Sequence, residues 1–331
     1  MTPPNPDAAA EAEVRALCQR ALAHHTLSVS DLVAVFEDAR AGAAARRRQV
    51  LRLLDTEPGR RHGLICGVTG TPGSGKSTLL GRLALALADA RPLSIAILAV
   101  DPSSPLSGGA LLGDRVRVRF PPERPELYFR SQASETQLGG LAPDSFQVCR
   151  LLTRLFDLVL VETVGIGQSE LDVRYLCDRM YLVLAPLGGD EVQLLKAGVM
   201  EVPDAIVVSK ADETVAARRL MSALATALPL GRLMGAPLPP VYSTSARTGA
   251  GVDALAADVL ATLDRLGASD LGPKELHFFR RWVRDEWGRE GERVLAVQSR
   301  GLEGFLERSG DLDSAEERFS ERMKARTLPE G

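Results

Sequence analysis

The chain has 331 residues, 45% hydrophobic and 25% charged, with a formal net charge of −3 at pH 7, material for one large core with helical additions. The mild negative charge gives no global attraction to nucleic acid or anionic membrane; no apolar run reaches the roughly 18 residues of a membrane span, and the N-terminus lacks a signal-peptide core. Cys18, Cys66, Cys149 and Cys177 are scattered without C-x-x-C pairing and His24, His25, His62 and His277 show no zinc spacing, which implies reduced, buried thiols in a cytoplasm.

The first ten residues are rich in proline and alanine and are expected to be mobile. Helical patterning follows from residue 11 to about 57. Within it, Ser28-Val29-Ser30-Asp31 resembles a capping box ahead of Leu32, Val33, Val35 and Phe36. From residue 64 apolar runs alternate with amphipathic stretches, and the spacing predicts strands at 64–69, 94–100, 127–130, 157–162, 179–184, 205–209 and 241–244. Several are almost wholly apolar, as in Ile95-Ala96-Ile97-Leu98-Ala99-Val100, which suits a parallel sheet covered on both faces. The alternation predicts an α/β fold with a doubly wound, mostly parallel sheet. After Gly272-Pro273 the sequence turns charged and helical to its end, with Phe278, Phe279, Trp282 and Trp287 read as core or interface residues. The expected organisation is an N-terminal helical extension over 1–60, an α/β domain over 61–268 and a C-terminal helical region over 269–331.

The richest segment is Gly70-Thr71-Pro72-Gly73-Ser74-Gly75-Lys76-Ser77-Thr78, which fits G-x-x-x-x-G-K-[ST] immediately after the first predicted strand. Glycines let successive amides of such a loop, around Gly73, Ser74, Gly75 and Thr78, face an anion, and the helix that follows adds its positive end. Lys76 is placed to reach β- and γ-phosphate oxygens, and Ser77 to ligate Mg²⁺. The motif predicts a nucleoside triphosphate ligand.

Ligand chemistry in this fold collects at the carboxyl ends of strands. Asp101 closes the second predicted strand and Glu162 the fourth, and Asp114 follows in Leu112-Gly113-Asp114-Arg115; these three acids are candidates for the shell of a hard cation. Gly165 stands in an acid-x-x-Gly unit, where its backbone amide would meet a γ-phosphate, giving a switch that extends to about Gln168. At the end of a later strand, Ser209-Lys210-Ala211-Asp212 approximates the guanine-reading Asn-Lys-x-Asp pattern. A carboxylate at Asp212 accepts from guanine N1–H and the 2-amino group, Lys210 lies along the base, and Ser245-Ala246 supplies an amide to guanine O6. These features together predict GTP rather than ATP.

With these segments in place, the sequence resembles the MeaB/ArgK GTPases, chaperones of adenosylcobalamin-dependent acyl-CoA mutases, chiefly methylmalonyl-CoA mutase. The likeness runs from about residue 28 to 310, and Glu162-Thr163-Val164-Gly165-Ile166-Gly167-Gln168-Ser169-Glu170 is its most diagnostic string, with Glu where generic GTPases carry Asp. The resemblance implies that Lys76, Ser77 and Thr78 hold phosphates and Mg²⁺ and that Asp101, Asp114 and Glu162 surround the metal and the attacking water. It implies a third mobile segment from Gly188-Gly189-Asp190-Glu191 through Lys196 that relays nucleotide state to the mutase. A homodimer supported by the flanking helices, with 269–331 as its dimerisation region, is implied too, as is gating of cofactor loading and protection by GTP. One departure is Ser209 in the place of the family's Asn, for which weaker guanine affinity is expected.

The predicted reaction is transfer of the γ-phosphoryl group to water, catalysed by positioning and charge neutralisation. With no glutamine directly after the acid-x-x-Gly unit, intrinsic hydrolysis is expected to be slow; a partner worth 10³-fold would supply about 4 kcal/mol. Two other readings are a P-loop small-molecule kinase and a transport-associated ATPase.

Overall fold

The computed structural model describes residues 6–40, 42–59, 61–101, 118–133, 141–142, 144–163, 170–186, 203–230, 238–297 and 301–327. The chain divides into two compact units.

The larger unit, residues 61–145 and 152–269, is built on seven strands: β1 (Leu64–Gly70), β2 (Ile95–Asp101), β3 (Leu127–Ala133), β4 (Leu158–Glu162), β5 (Arg179–Leu184), β6 (Ala205–Val208) and β7 (Val241–Ser243). They pair in the order β3-β2-β4-β1-β5-β6-β7, every pairing parallel. All seven coincide with predicted strands to within a few residues. Uninterrupted apolar runs such as Leu158-Val159-Leu160-Val161, all fully buried, form strands because helices cover both faces of the sheet. On one face, alternate residues Leu64, Cys66 and Val68 of β1 pack with Leu79, Leu80, Leu83 and Leu87 of one helix and Leu255, Val259 and Leu263 of another. Those helices are α4 (Lys76–Ala90) and α8 (Val252–Leu266), counting α1 (Pro6–Leu22), α2 (Thr26–Phe36), α3 (Ala43–Asp55), α5 (Ser145–Leu155), α6 (Glu170–Leu176) and α7 (Thr214–Leu230) in chain order. Leu182, Leu184, Ile206 and Val208 meet Ala217, Leu220 and Leu224 of α7 in a second cluster. This is the doubly wound α/β fold read from the sequence.

The smaller unit contains residues 1–60, 146–151 and 270–331, with α9 (Gly272–Ala296), α10 (Gly301–Ser309) and α11 (Leu312–Thr327). Helix α9 is kinked at Gly288, whose φ of 54° and ψ of −145° are non-helical. Phe279, Phe305 and Phe319 pack ring against ring, with Phe319 edge-on to the other two at 6.0 and 5.8 Å. Beside this aromatic core lies a buried ionic cluster. Asp313, wholly inaccessible, accepts from Arg47 Nε at 2.5 Å and from Arg150 Nη1 at 2.8 Å; Arg150 Nε also pairs with Glu275 at 3.2 Å.

Two local expectations are corrected. Residues 6–10, expected to be mobile, begin helix α1, with Pro6 in the first helical turn, where its missing N–H costs nothing. The helix start expected at Ser28 lies earlier. His25, extended at φ −67° and ψ 109°, caps α2 by accepting from the Ser28 N–H at 3.3 Å, leaving the Ser28 hydroxyl to Arg20 and the His25 ring. Among the described residues no helix is long and apolar enough to cross a membrane.

Candidate functional site

All strands being parallel, the ends of β1, β4 and β6 reach the same edge of the sheet, where α4 begins. The chain leaves β1 at Gly70, where a Cβ would stand 2.1 Å from the Val183 carbonyl of β5, so only glycine permits the exit. It enters α4 through Gly75, left-handed at φ 85°, a conformation costly for residues with a Cβ. No side chain caps α4. Lys76 turns back into the loop and donates to the Gly70 carbonyl at 2.9 Å and the Thr71 carbonyl at 3.1 Å.

Beside the loop, Ser77 Oγ donates to Glu162 Oε1 at 2.7 Å. Glu162 lies in register with Val68 of β1 on one side and Ala99 of β2 on the other, and is buried. The next residue locks the strand end, with Thr163 N–H donating to the Val68 carbonyl at 3.1 Å and its hydroxyl 3.0 Å from that of Thr69. The fold thus brings together two predicted site residues far apart in sequence. Asp101 terminates β2, two residues past Ala99, but its side chain lies outside the described residues, as do Asp114, Gly165, Gln168, Asp190 and Lys196. Among the described residues no group of three or more His, Cys, Asp or Glu side chains is placed to hold a metal ion.

The end of β6 supplies the third wall. Ser209 Oγ donates to the Ser74 carbonyl at 2.7 Å, with the Leu184 carbonyl at 3.2 Å. Lys210 is left-handed at φ 51°, and its Cε lies 3.9 Å from where a Cβ of Gly75 would stand. Asp212 Oδ1 accepts from Ser245 Oγ at 2.6 Å, and Oδ2 pairs with Arg247. The Ser245 hydroxyl, aided by Arg247, holds the Asp212 carboxyl below its ordinary range. Backbone bonds fix the turn, Ala211 N–H to the Thr244 carbonyl and Ser245 N–H to the Ala250 carbonyl, both at 2.9 Å, and Arg82 Nε secures the Ala246 carbonyl at 3.1 Å. A cavity of about 290 Å³ is bounded by Ser74, Gly75, Thr78, Lys210, Asp212 and Arg247, so the loop and the base-reading segment share one space. Arg247 and Arg82 were not legible as site residues; the one signal was the position of Arg247 directly after Ser245-Ala246.

A family model described as methylmalonyl Co-A mutase-associated GTPase MeaB matches residues 29–287. The chain belongs to the MeaB family of P-loop GTPases. Its relatives include a Mycobacterium bovis protein provisionally named as a GTPase, 34% identical over 262 residues, 77% of this chain and 75% of the relative. A Pyrococcus horikoshii protein provisionally named likewise is 42% identical over 195 residues, 58% of this chain and 61% of its own length. A Caenorhabditis briggsae protein, named methylmalonic aciduria type A homolog, mitochondrial, is 33% identical over 239 residues, covering 70% of this chain and 57% of that one. The matched region thus spans between half and two thirds of the length of several relatives. A crystal structure of LAO/AO transport system kinase superposes with a TM-score of 0.59 at 22% identity, covering 95% of this chain and 98% of that one; at that identity the likeness is one of fold.

Proposed function

We propose that this MeaB-family chain binds GTP and hydrolyses it to GDP and phosphate with Mg²⁺ as cofactor. In this reading the cycle gates cofactor loading and protection of an adenosylcobalamin-dependent acyl-CoA mutase of the methylmalonyl-CoA mutase type. The observation that carries the nucleotide part is the shared cavity, in which Gly75 of the phosphate loop and the carboxylate of Asp212 line one space. Asp212 accepts from a base edge with two adjacent N–H donors, which guanine has and adenine lacks; a kinase or transport ATPase using ATP has no need of it.

The donors at the loop suit Mg²⁺, because the Ser77 hydroxyl and the Glu162 carboxylate are hard oxygens already 2.7 Å apart. When bound there, Mg²⁺ would neutralise charge on the β- and γ-phosphates. The amides of residues 73–78 cradle the phosphates, and Lys76 balances negative charge that builds toward the leaving oxygen. Asp101 and Asp114 complete this proposal as groups orienting water, with Gly165 and Gln168 in the switch.

The mutase partner is supported by the family and by the methylmalonic aciduria type A relative. We include a homodimer in the cytoplasm, where four free, buried thiols stay reduced; residues 269–331 form its dimerisation region, and Asp190 and Lys196 belong to the segment that signals to the mutase. Phosphate release measured with GTP and with ATP, alone and with purified acyl-CoA mutases, tests the whole. Release from GTP alone, raised by one mutase, is expected; equal turnover of ATP defeats the guanine reading, and indifference to every mutase defeats the chaperone reading.

A further inference from the structure

The two carboxylate oxygens of Asp212 have different partners. Oδ1 accepts from the Ser245 hydroxyl at 2.6 Å, and that hydroxyl is itself held in a turn, accepting from the Thr248 N–H at 3.2 Å. Oδ2 pairs with the guanidinium of Arg247. The contrast lies in mobility: Ser245 is fully buried, whereas the Arg247 side chain is 75% exposed and can swing away without disturbing any packing. A guanidinium presents parallel N–H donors to a carboxylate. The Watson–Crick edge of guanine does the same with N1–H and its 2-amino group.

We propose that Arg247 is a specificity-determining residue, an internal stand-in for the guanine edge that occupies the base-reading carboxylate and must turn aside before guanine can bind. This rests on Asp212 reading guanine. A base is admitted only if its own donors replace those that Arg247 withdraws. Guanine brings two. Adenine presents an acceptor at N1 and a C–H at position 2, so it gives the carboxylate nothing in return and leaves the pair intact. Arg247 thus makes guanine binding an exchange of donors on Oδ2, and it weakens that binding by the strength of the ion pair that is broken. Because the Arg247 side chain is largely solvent-exposed, that strength is modest, and the effect is a few-fold.

Equilibrium titration of the full chain with ribose-labelled GDP and ADP, comparing the unmutated protein with Arg247→Ala, tests the proposal. The expected result is GDP binding tightened about two- to fivefold with ADP binding unmoved. Unchanged or weaker GDP binding in Arg247→Ala overturns it, since Arg247 would then be neutral or would itself support the base. An equal shift for GDP and ADP also overturns it, pointing to a general charge effect on the phosphates. Equal affinity of the unmutated chain for GDP and ADP would remove the guanine reading, and this proposal with it. GDP preference with an unresponsive Arg247→Ala removes this proposal alone.

Discussion

The hydroxyl of Ser209 donates to the carbonyl of Ser74 at 2.7 Å, tying the end of β6 to the phosphate loop. An asparagine amide could make the same bond through one N–H of its NH₂ and still offer the other to an acceptor on the base. Ser209→Asn is therefore expected to tighten GTP severalfold and leave ATP unmoved, measured by isothermal titration. Ser209→Ala leaves a carbonyl of fully buried Ser74 without this donor, at an expected cost of about 1–3 kcal/mol in unfolding free energy. An alanine variant as stable as the parent would show that the tether carries no weight.

Asp212 is tested by exchanging its chemistry rather than its size. Asp212→Ala should erase the preference for GTP over ATP. Asp212→Asn places an N–H donor where guanine also presents donors, so GTP should weaken by at least tenfold, about 1.4 kcal/mol, while xanthosine triphosphate, with an acceptor oxygen at position 2, should gain. Competition binding with the three nucleotides reads the order directly.

Lys76 balances charge in the proposed reaction and also ties the carbonyls of Gly70 and Thr71. Lys76→Ala is expected to reduce GTP turnover below detection. Glu162→Gln keeps an acceptor for Ser77 but loses the negative charge, so turnover should fall about 10- to 100-fold and demand more Mg²⁺. Thermal unfolding of each variant in parallel separates lost chemistry from lost structure; undiminished turnover in Lys76→Ala would place the reaction elsewhere.

In the helical unit, Asp313 sits between Arg47 and Arg150 with no solvent access. Asp313→Asn removes the buried negative charge that Arg47 and Arg150 share and is expected to cost about 3–5 kcal/mol. Asp313→Glu, which retains the charge but not the fit, should cost less. Urea unfolding of both variants checks the order.

Burial, reinforced by the neighbouring Asp313 and opposed by Arg47 and Arg150, pushes the Glu316 carboxyl from its ordinary 4.5 up to about 8. Between those values the folded chain holds a proton that the unfolded chain has released, so this group makes stability fall as pH rises from about 4.5 to about 8 and contributes no further slope above it. Glu316→Gln, neutral throughout, should flatten that part of a stability–pH profile. A slope identical to the parent's would locate the titration at another group.

The sheet was legible because a strand buried on both faces reads as a continuous apolar run, and amphipathic helical stretches between strands, as between β1 and β2, carry the chain back for parallel pairing. The phosphate loop was legible for a different reason: glycine spacing encodes backbone conformation directly, as Gly75 at φ 85° illustrates. What sequence could not give is pairing across distance. Nothing in the local pattern joins Ser77 to Glu162, Ser209 to Ser74, or Arg150 to Asp313, because each contact is created by tertiary placement. Arg247 reads in sequence as one more surface charge until the turn at Ser245 sets it against Asp212. Likewise, the start of α2 was misplaced because His25 is an uncommon cap and its ring does the work expected of a serine.

The ammonium of Lys76, clasped by two carbonyls of its own loop, has a consequence for how the two nucleotide states can differ. An incoming phosphate chain must compete with the Gly70 and Thr71 carbonyls for that ammonium. A triphosphate brings β- and γ-oxygens to the contest and a diphosphate only the β-group, so in the proposed cycle loss of the terminal phosphoryl group would hand Lys76 back to its own loop.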